Sequence, residues 1–170
     1  MPSIYSQLRQ VPDHQEVFLS PSTLTHIIFE VNSYVHQPDD NTATQFHFTD
    51  VIAPPDSLAM PLGDANRIIM PKDSLNEYPA YLLEGTILSQ EVRRTPHGPP
   101  QLTGISTTTK VYQLLVRIEK HDTDLCVWIN VPMKEINTDE GKANAETVAK
   151  EIMQRIISTL DVREFGLFRQ

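Results

Sequence analysis

The chain carries one cysteine, Cys126, in 170 residues. No intramolecular disulfide can form, and a reducing compartment, cytosol or nucleus, is the expected setting. Glycine is scarce as well. There are six, and none stands in GxxxxGK[ST] or GxGxxG spacing, which excludes nucleotide binding by those devices. No apolar run approaches the ~20 residues that span a bilayer, so membrane insertion is not expected. The opening MPSIYSQLRQ lacks a basic region followed by an apolar one, and a secretory signal is not expected either. Bases are few: 14 Lys and Arg stand against 22 Asp and Glu, for a net charge of −8. Nucleic acid and anionic membrane are polyanions and therefore poor partners for such a chain. A partner with a basic face is favoured, unless the charge serves solubility alone.

What is present reads as one α+β domain over residues 1–170, a length that supports a sizeable core. QEVFL at 15–19 reads as a short strand. Ser20-Pro21-Ser22 is helix-start chemistry, a capping hydroxyl followed by a proline tolerated in the first turn. Leu24, Ile27, Ile28, Val31, Tyr34 and Val35 then recur as one apolar stripe, which predicts a helix over 24–35. A second helix is expected over 40–51, with Ala43, Phe46 and Val51 inward. NRIIM at 66–70 and residues 80–93 read as strands, with Gly85 marking a bulge. Residues 94–104, RTPHGPPQLTG, are read as irregular because prolines and glycines break them.

Residues 107–119 and 124–132 read as two strands of a hairpin. Tyr112, Leu114, Val116 and Ile118 alternate on one face of the first, and Leu125, Val127, Ile129 and Val131 on one face of the second. Cys126 and Trp128 point the other way, so the sheet is covered on both sides. A last helix is expected over 139–160, with Ala145, Val148, Ala149, Ile152, Ile156 and Leu160 inward and a Glu146–Lys150 pair outside. The tail VREFGLFRQ is expected to pack down. The order β-α-α-β-β-β-β-α is not the alternation of a parallel sheet; it reads as an antiparallel meander with helices on its faces.

Chemistry is hard to find. Histidines 14, 26, 36, 47, 97 and 121 are scattered, with no HExxH spacing and no zinc set, so no metal ligand is expected. His26 reads as a surface residue. Cys126, between Leu125 and Val127, reads as a buried inert thiol. Nothing like GxSxG frames a serine. No catalytic residue and no cofactor are expected. Phe46, Phe48, Trp128, Phe165 and Phe168 read as core, and no basic stripe interleaves with them, which disfavours a nucleic-acid platform.

One stretch is left over. QLRQVPDHQEVFL, residues 7–19, sets a proline turn and two acids ahead of a strand. By spacing alone Asp13 is a turn residue after Pro12, and Glu16 an outward strand residue, both solvated. The longer segment LRQVPDHQEVFLSP, 8–21, closely resembles the signature of the Ran guanine-nucleotide release factors, the small Mog proteins of nuclear import. IIFEVNSYV resembles that family's helix, QFHFTDVI its aromatic-His-aromatic segment, and TDLCVWINVP at 123–132 its Thr-Asp-apolar-Asn-x-Pro strand.

The resemblance implies a Mog/PsbP-like α/β/α sandwich, an antiparallel sheet flanked by helices on both faces. It implies a monomeric, non-catalytic regulator in nucleus and cytoplasm that binds the GTPase Ran, promotes nucleotide release and supports nuclear import. It implies a Ran contact that includes Asp13 and Glu16, with Arg9 and Gln15 as neighbours. Family members open with a Gly-Gly-Ala segment, a strand and a Pro-containing loop. This sequence begins past that point, at MPSIYSQLRQ, so the first strand is expected to be missing or replaced. An acidic adaptor of the same fold, binding for instance a membrane-channel cytoplasmic loop, and a PsbP-like photosynthetic protein are the competing readings.

Overall fold

The computed structural model of the chain describes residues 13–134 and 136–168. In order they form β1 (Gln15–Leu19), β2 (His26–Ser33), α1 (Asp40–Asp50), β3 (Ser57–Leu58), β4 (Asn66–Ile68), β5 (Ala80–Arg93), β6 (Gln101–Ile118), β7 (Thr123–Pro132) and α2 (Asp139–Thr159). The strands make one seven-stranded sheet in the order β1-β2-β7-β6-β5-β3, with β4 on β5 as well. Every pairing is antiparallel. Among the described residues, no helix is long and apolar enough to cross a membrane.

The two long central strands explain the layering. Side chains alternate across a strand, so a strand apolar at every position needs cover on both faces. On one face Tyr112, Leu114, Val116 and Ile118 join Leu125, Val127, Ile129 and Val131 against Ala149, Met153 and Ile157 of α2. On the other, Val111, Leu115, Cys126 and Trp128 meet Phe48 of α1. Phe165 and Phe168 pack against the α2-side core from a short 3-10 turn, as expected of the tail. This is the α+β sandwich expected from the sequence, with a helix on each side.

The helix expected over 24–35 is a strand. β2 pairs with β7 residue for residue from His26↔Asn130 to Ser33↔Thr123. Its apolar residues fall on both faces: Ile27, Phe29 and Val31 toward α2, Ile28 toward α1. A strand covered on both sides mimics a helical stripe over a short window. Ser20 does not start a helix but holds a turn, accepting the Thr23 amide on its hydroxyl at 3.3 Å while its own amide donates to the Thr25 carbonyl at 3.0 Å. His26 therefore lies on β2, half-buried, with Asn130 Nδ2 2.9 Å from its Nε2.

Five smaller corrections follow from the packing. Phe46 and Val51 are exposed at 41% and 48%, because α1 turns Thr44 and His47 inward with Ala43 and Phe48. Gly85 marks no bulge; it pairs in register with Val111. A β-carbon there would stand 2.5 Å from Phe48 Cζ, so glycine answers a close approach of the α1 aromatic. The irregularity lies further on, between Gln90 and Val92, and residues 101–104 belong to β6. On α2 the buried stripe is Ala149, Met153 and Ile157, and Val148 is 44% exposed. Lys150 reaches Glu84 at 3.4 Å, while Glu146 accepts the Tyr112 hydroxyl at 3.5 Å.

Candidate functional site

Asp13 and His14 form the turn before β1, the edge strand on β2. Asp13 and Glu16 are both exposed. Gln15 is not beside Glu16. The pleat sends Glu16 and Phe18 to the α2 side of the sheet and Gln15 to the α1 side, where it pairs with Glu30 and, beyond it, Cys126. Arg9 lies outside the described residues.

Glu30, 9% exposed, fastens the turn from beneath. Its Oε1 accepts Gln15 Nε2 at 2.6 Å and lies 3.6 Å from His14 Nε2. Its Oε2 accepts the Trp128 indole N–H at 3.2 Å. The Val31 amide donates to the His14 carbonyl at 2.9 Å. Both residues between Asp13 and Glu16 are thus tied to β2. A buried carboxylate that accepts several hydrogen bonds is a rigid anchor, and breaking one bond leaves a costly unpaired group. Glu30 could not be found while 24–35 read as a helix. The signal was the alternation of Ile28 and Glu30 with Ile27, Phe29 and Val31.

The apolar neighbours of this edge are unusually open. Phe18 is 53% exposed and meets Phe29 edge-on at 5.9 Å; Leu19 and Leu24 are 74% and 55% exposed. Glu16 beside Phe18 on one face gives an acid and an aromatic anchor together.

Burial pushes the Cys126 thiol well above its ordinary range, with the Glu30 charge adding to the effect. A neutral, buried thiol is a poor nucleophile. The other polar cluster is also buried. Arg117 Nε donates to Asp124 Oδ1 at 3.2 Å and Nη1 to Asp40 Oδ1 at 2.7 Å; Nη2 donates to the Val35 carbonyl. Its guanidinium stacks 4.0 Å over the Tyr34 ring. Asp124 Oδ2 accepts the Val35 amide at 3.0 Å and lies 2.8 Å from His47 Nε2. Burial lowers the Arg117 pKa, but its bonds to Asp40 and Asp124 outweigh that and hold it above the ordinary value. These groups spend their hydrogen-bonding capacity on one another and weld α1 to the β6–β7 hairpin. Among the described residues, no three of His, Cys, Asp and Glu gather as a metal site.

The family model described as Ran-interacting Mog1 protein matches residues 4–132. The Ran guanine nucleotide release factor of Danio rerio is 27% identical over 171 residues, covering 96% of this chain and 88% of the relative. That of Bos taurus is 24% identical over 167 residues, covering 96% and 85%. Among solved structures, the Saccharomyces cerevisiae Ran-binding protein Mog1p aligns with a TM-score of 0.48 at 20% identity, covering 91% of this chain and 85% of that one. The family match spans the acidic turn, the buried cluster and all seven strands, and the chain belongs to the Ran-interacting Mog1 protein family.

Proposed function

We propose that the chain is a Ran-binding regulator that promotes guanine-nucleotide release and so supports nuclear protein import. It acts in nucleus and cytoplasm, as a monomer, with no chemistry of its own. Membership of a Ran-interacting family carries this reading. The names of the relatives from Danio rerio and Bos taurus, Ran guanine nucleotide release factor, point the same way.

The acidic turn supports a mechanism. Asp13 and Glu16 engage basic side chains of Ran near its nucleotide, with Arg9 as a neighbour and Phe18 as an apolar contact, while Gln15 serves the turn from the other face through its bond to Glu30. Anchorage of the turn on Glu30 lets the carboxylates meet a partner without first being ordered. Release then follows from linkage. If the chain binds nucleotide-free Ran about tenfold more tightly than loaded Ran, nucleotide affinity must fall by the same factor, ~1.4 kcal/mol.

The test is the affinity for Ran that is empty, GDP-loaded or GTP-loaded. Empty Ran is expected to bind best. Asp13→Ala combined with Glu16→Lys is expected to weaken that binding at least about tenfold, with no change in melting temperature. An unchanged affinity at modest salt would return both acids to surface solvation.

A further inference from the structure

The β5–β6 hairpin outruns the rest of the sheet. β7 ends at Pro132, opposite Thr109, and β3 covers β5 only at Ile87 and Leu88. Beyond these points, among the described residues, the two strands pair only with each other as far as Arg93↔Gln101. Their outer edges differ. On β5, Asp56 closes the start of the edge, accepting the Gln90 amide at 3.1 Å and the Ser89 hydroxyl at 2.9 Å. On β6, the Met133 amide donates to the Thr108 carbonyl at 2.9 Å. Past it, Gln101–Thr107 have no outer strand among the described residues.

The ribbon also differs from the body in charge. The chain has 22 acids, yet residues 92–109 contain none. Arg93, Arg94 and His97 are exposed there, and among the described residues neither arginine joins an ion pair. Leu102 and Ile105 are 60% and 54% exposed.

We propose that this ribbon docks an acidic, extended segment of another protein, which adds as a strand to the free edge of β6 between Gln101 and Thr107. The edge supplies backbone donors and acceptors, and Leu102 and Ile105 supply apolar contact. Arg93 lies across from Gln101. An added strand would run about two strand spacings from Arg93, roughly 10 Å. An extended arginine and a facing glutamate together bridge that gap.

Three alternatives fare worse. A second ribbon would set arginine against arginine. A bilayer would gain only about 1 kcal/mol per arginine, against a net charge of −8. Nucleic acid is a dense polyanion, and the two exposed arginines and one histidine of this ribbon would neutralise few of its phosphates on a chain of net charge −8. Gly104, at φ +80°, lies in the bulge between Leu102 and Ser106, so the edge that the segment meets is bent there, with pairing available on either side of it.

The probe is a fluorescein-labelled peptide of alternating glutamate and valine, titrated with the full chain at low salt and followed by anisotropy. A lysine–valine peptide, phosphatidylserine vesicles and a DNA duplex run beside it. The glutamate peptide is expected to bind, to weaken with salt, and to slow amide exchange within 101–107. Arg93→Glu with Arg94→Glu is expected to weaken binding at least about tenfold at an unchanged melting temperature. The proposal is overturned if the glutamate peptide does not bind, if the lysine peptide, vesicles or duplex bind as well, or if the double reversal has no effect.

Discussion

Asp124→Asn tests the buried cluster at constant volume. Asp124 is fully buried and serves three groups: Arg117 Nε, the Val35 amide and His47 Nε2. An asparagine has one acceptor oxygen where the carboxylate has two. Its amide nitrogen must then face Arg117 on one side or Val35 and His47 on the other. Breaking a buried ion pair costs ~3–5 kcal/mol. Arg117 keeps Asp40 at 2.7 Å and the Val35 carbonyl, which places the cost near the lower end. For a chain of this size ~1 kcal/mol moves the melting temperature by roughly 2–4 °C, so a loss of ~3 kcal/mol lowers it by roughly 6–12 °C. Circular dichroism melts read this directly. A fall of less than about 2 °C would refute the claim that Asp124 carries the joint between α1 and the hairpin. Asp40→Asn, at a site 32% exposed, is expected to cost less than half as much.

Three further outcomes are expected. Gly85→Ala should destabilise by ~1–3 kcal/mol, because its β-carbon would stand 2.5 Å from Phe48 Cζ and 2.8 Å from Leu62 Cδ2; a urea midpoint equal to that of the native chain would contradict it. The Cys126 pKa is raised by folding, so stability is full below the unfolded thiol value near 9.0 and is lost as pH rises beyond it. Urea midpoints should fall between pH 8 and 10, and Cys126→Ser, itself ~1–3 kcal/mol less stable, should flatten that fall; parallel curves would count against burial of the thiol. Glu30→Gln should leave Trp128 Nε1 or Gln15 Nε2 without its acceptor. The emission of Trp128, the chain's single tryptophan, should shift and exchange in β1 should quicken; an unchanged spectrum and exchange would remove Glu30 as the anchor.

The parts of the fold that read directly from sequence were those with a single consistent period. β6 and β7 alternate along their shared length, so the opposite faces of Tyr112 and Cys126 are legible in the sequence alone. β2 failed because it is buried between β1 and β7, and apolar residues on both faces blur period 2 into period 3.6. α1 is legible as a helix, but its inner face is not, because that face docks partly on the polar groups of Arg117, Asp124 and Gln113 and only through Phe48 on the apolar cluster of Val111, Leu115 and Trp128. The Gln113 side chain, for instance, donates to the Thr44 carbonyl at 3.2 Å. At the candidate site, Asp13 and Glu16 stood out by motif. The divergence of Gln15 from Glu16 needed the strand register, and Glu30 needed β2 to be a strand.

The central claim is that the acidic turn loosens nucleotide on Ran, and the direct measurement is the release rate of a fluorescent guanine nucleotide from loaded Ran after mixing with the chain. The native chain should accelerate release in proportion to its occupancy of Ran. Asp13→Ala with Glu16→Lys should lose at least about tenfold of that acceleration at equal concentration, while Glu146→Lys, on α2 away from the turn, should retain it. Acceleration that survives in the double variant, or that Glu146→Lys abolishes equally, would contradict the assignment of the turn.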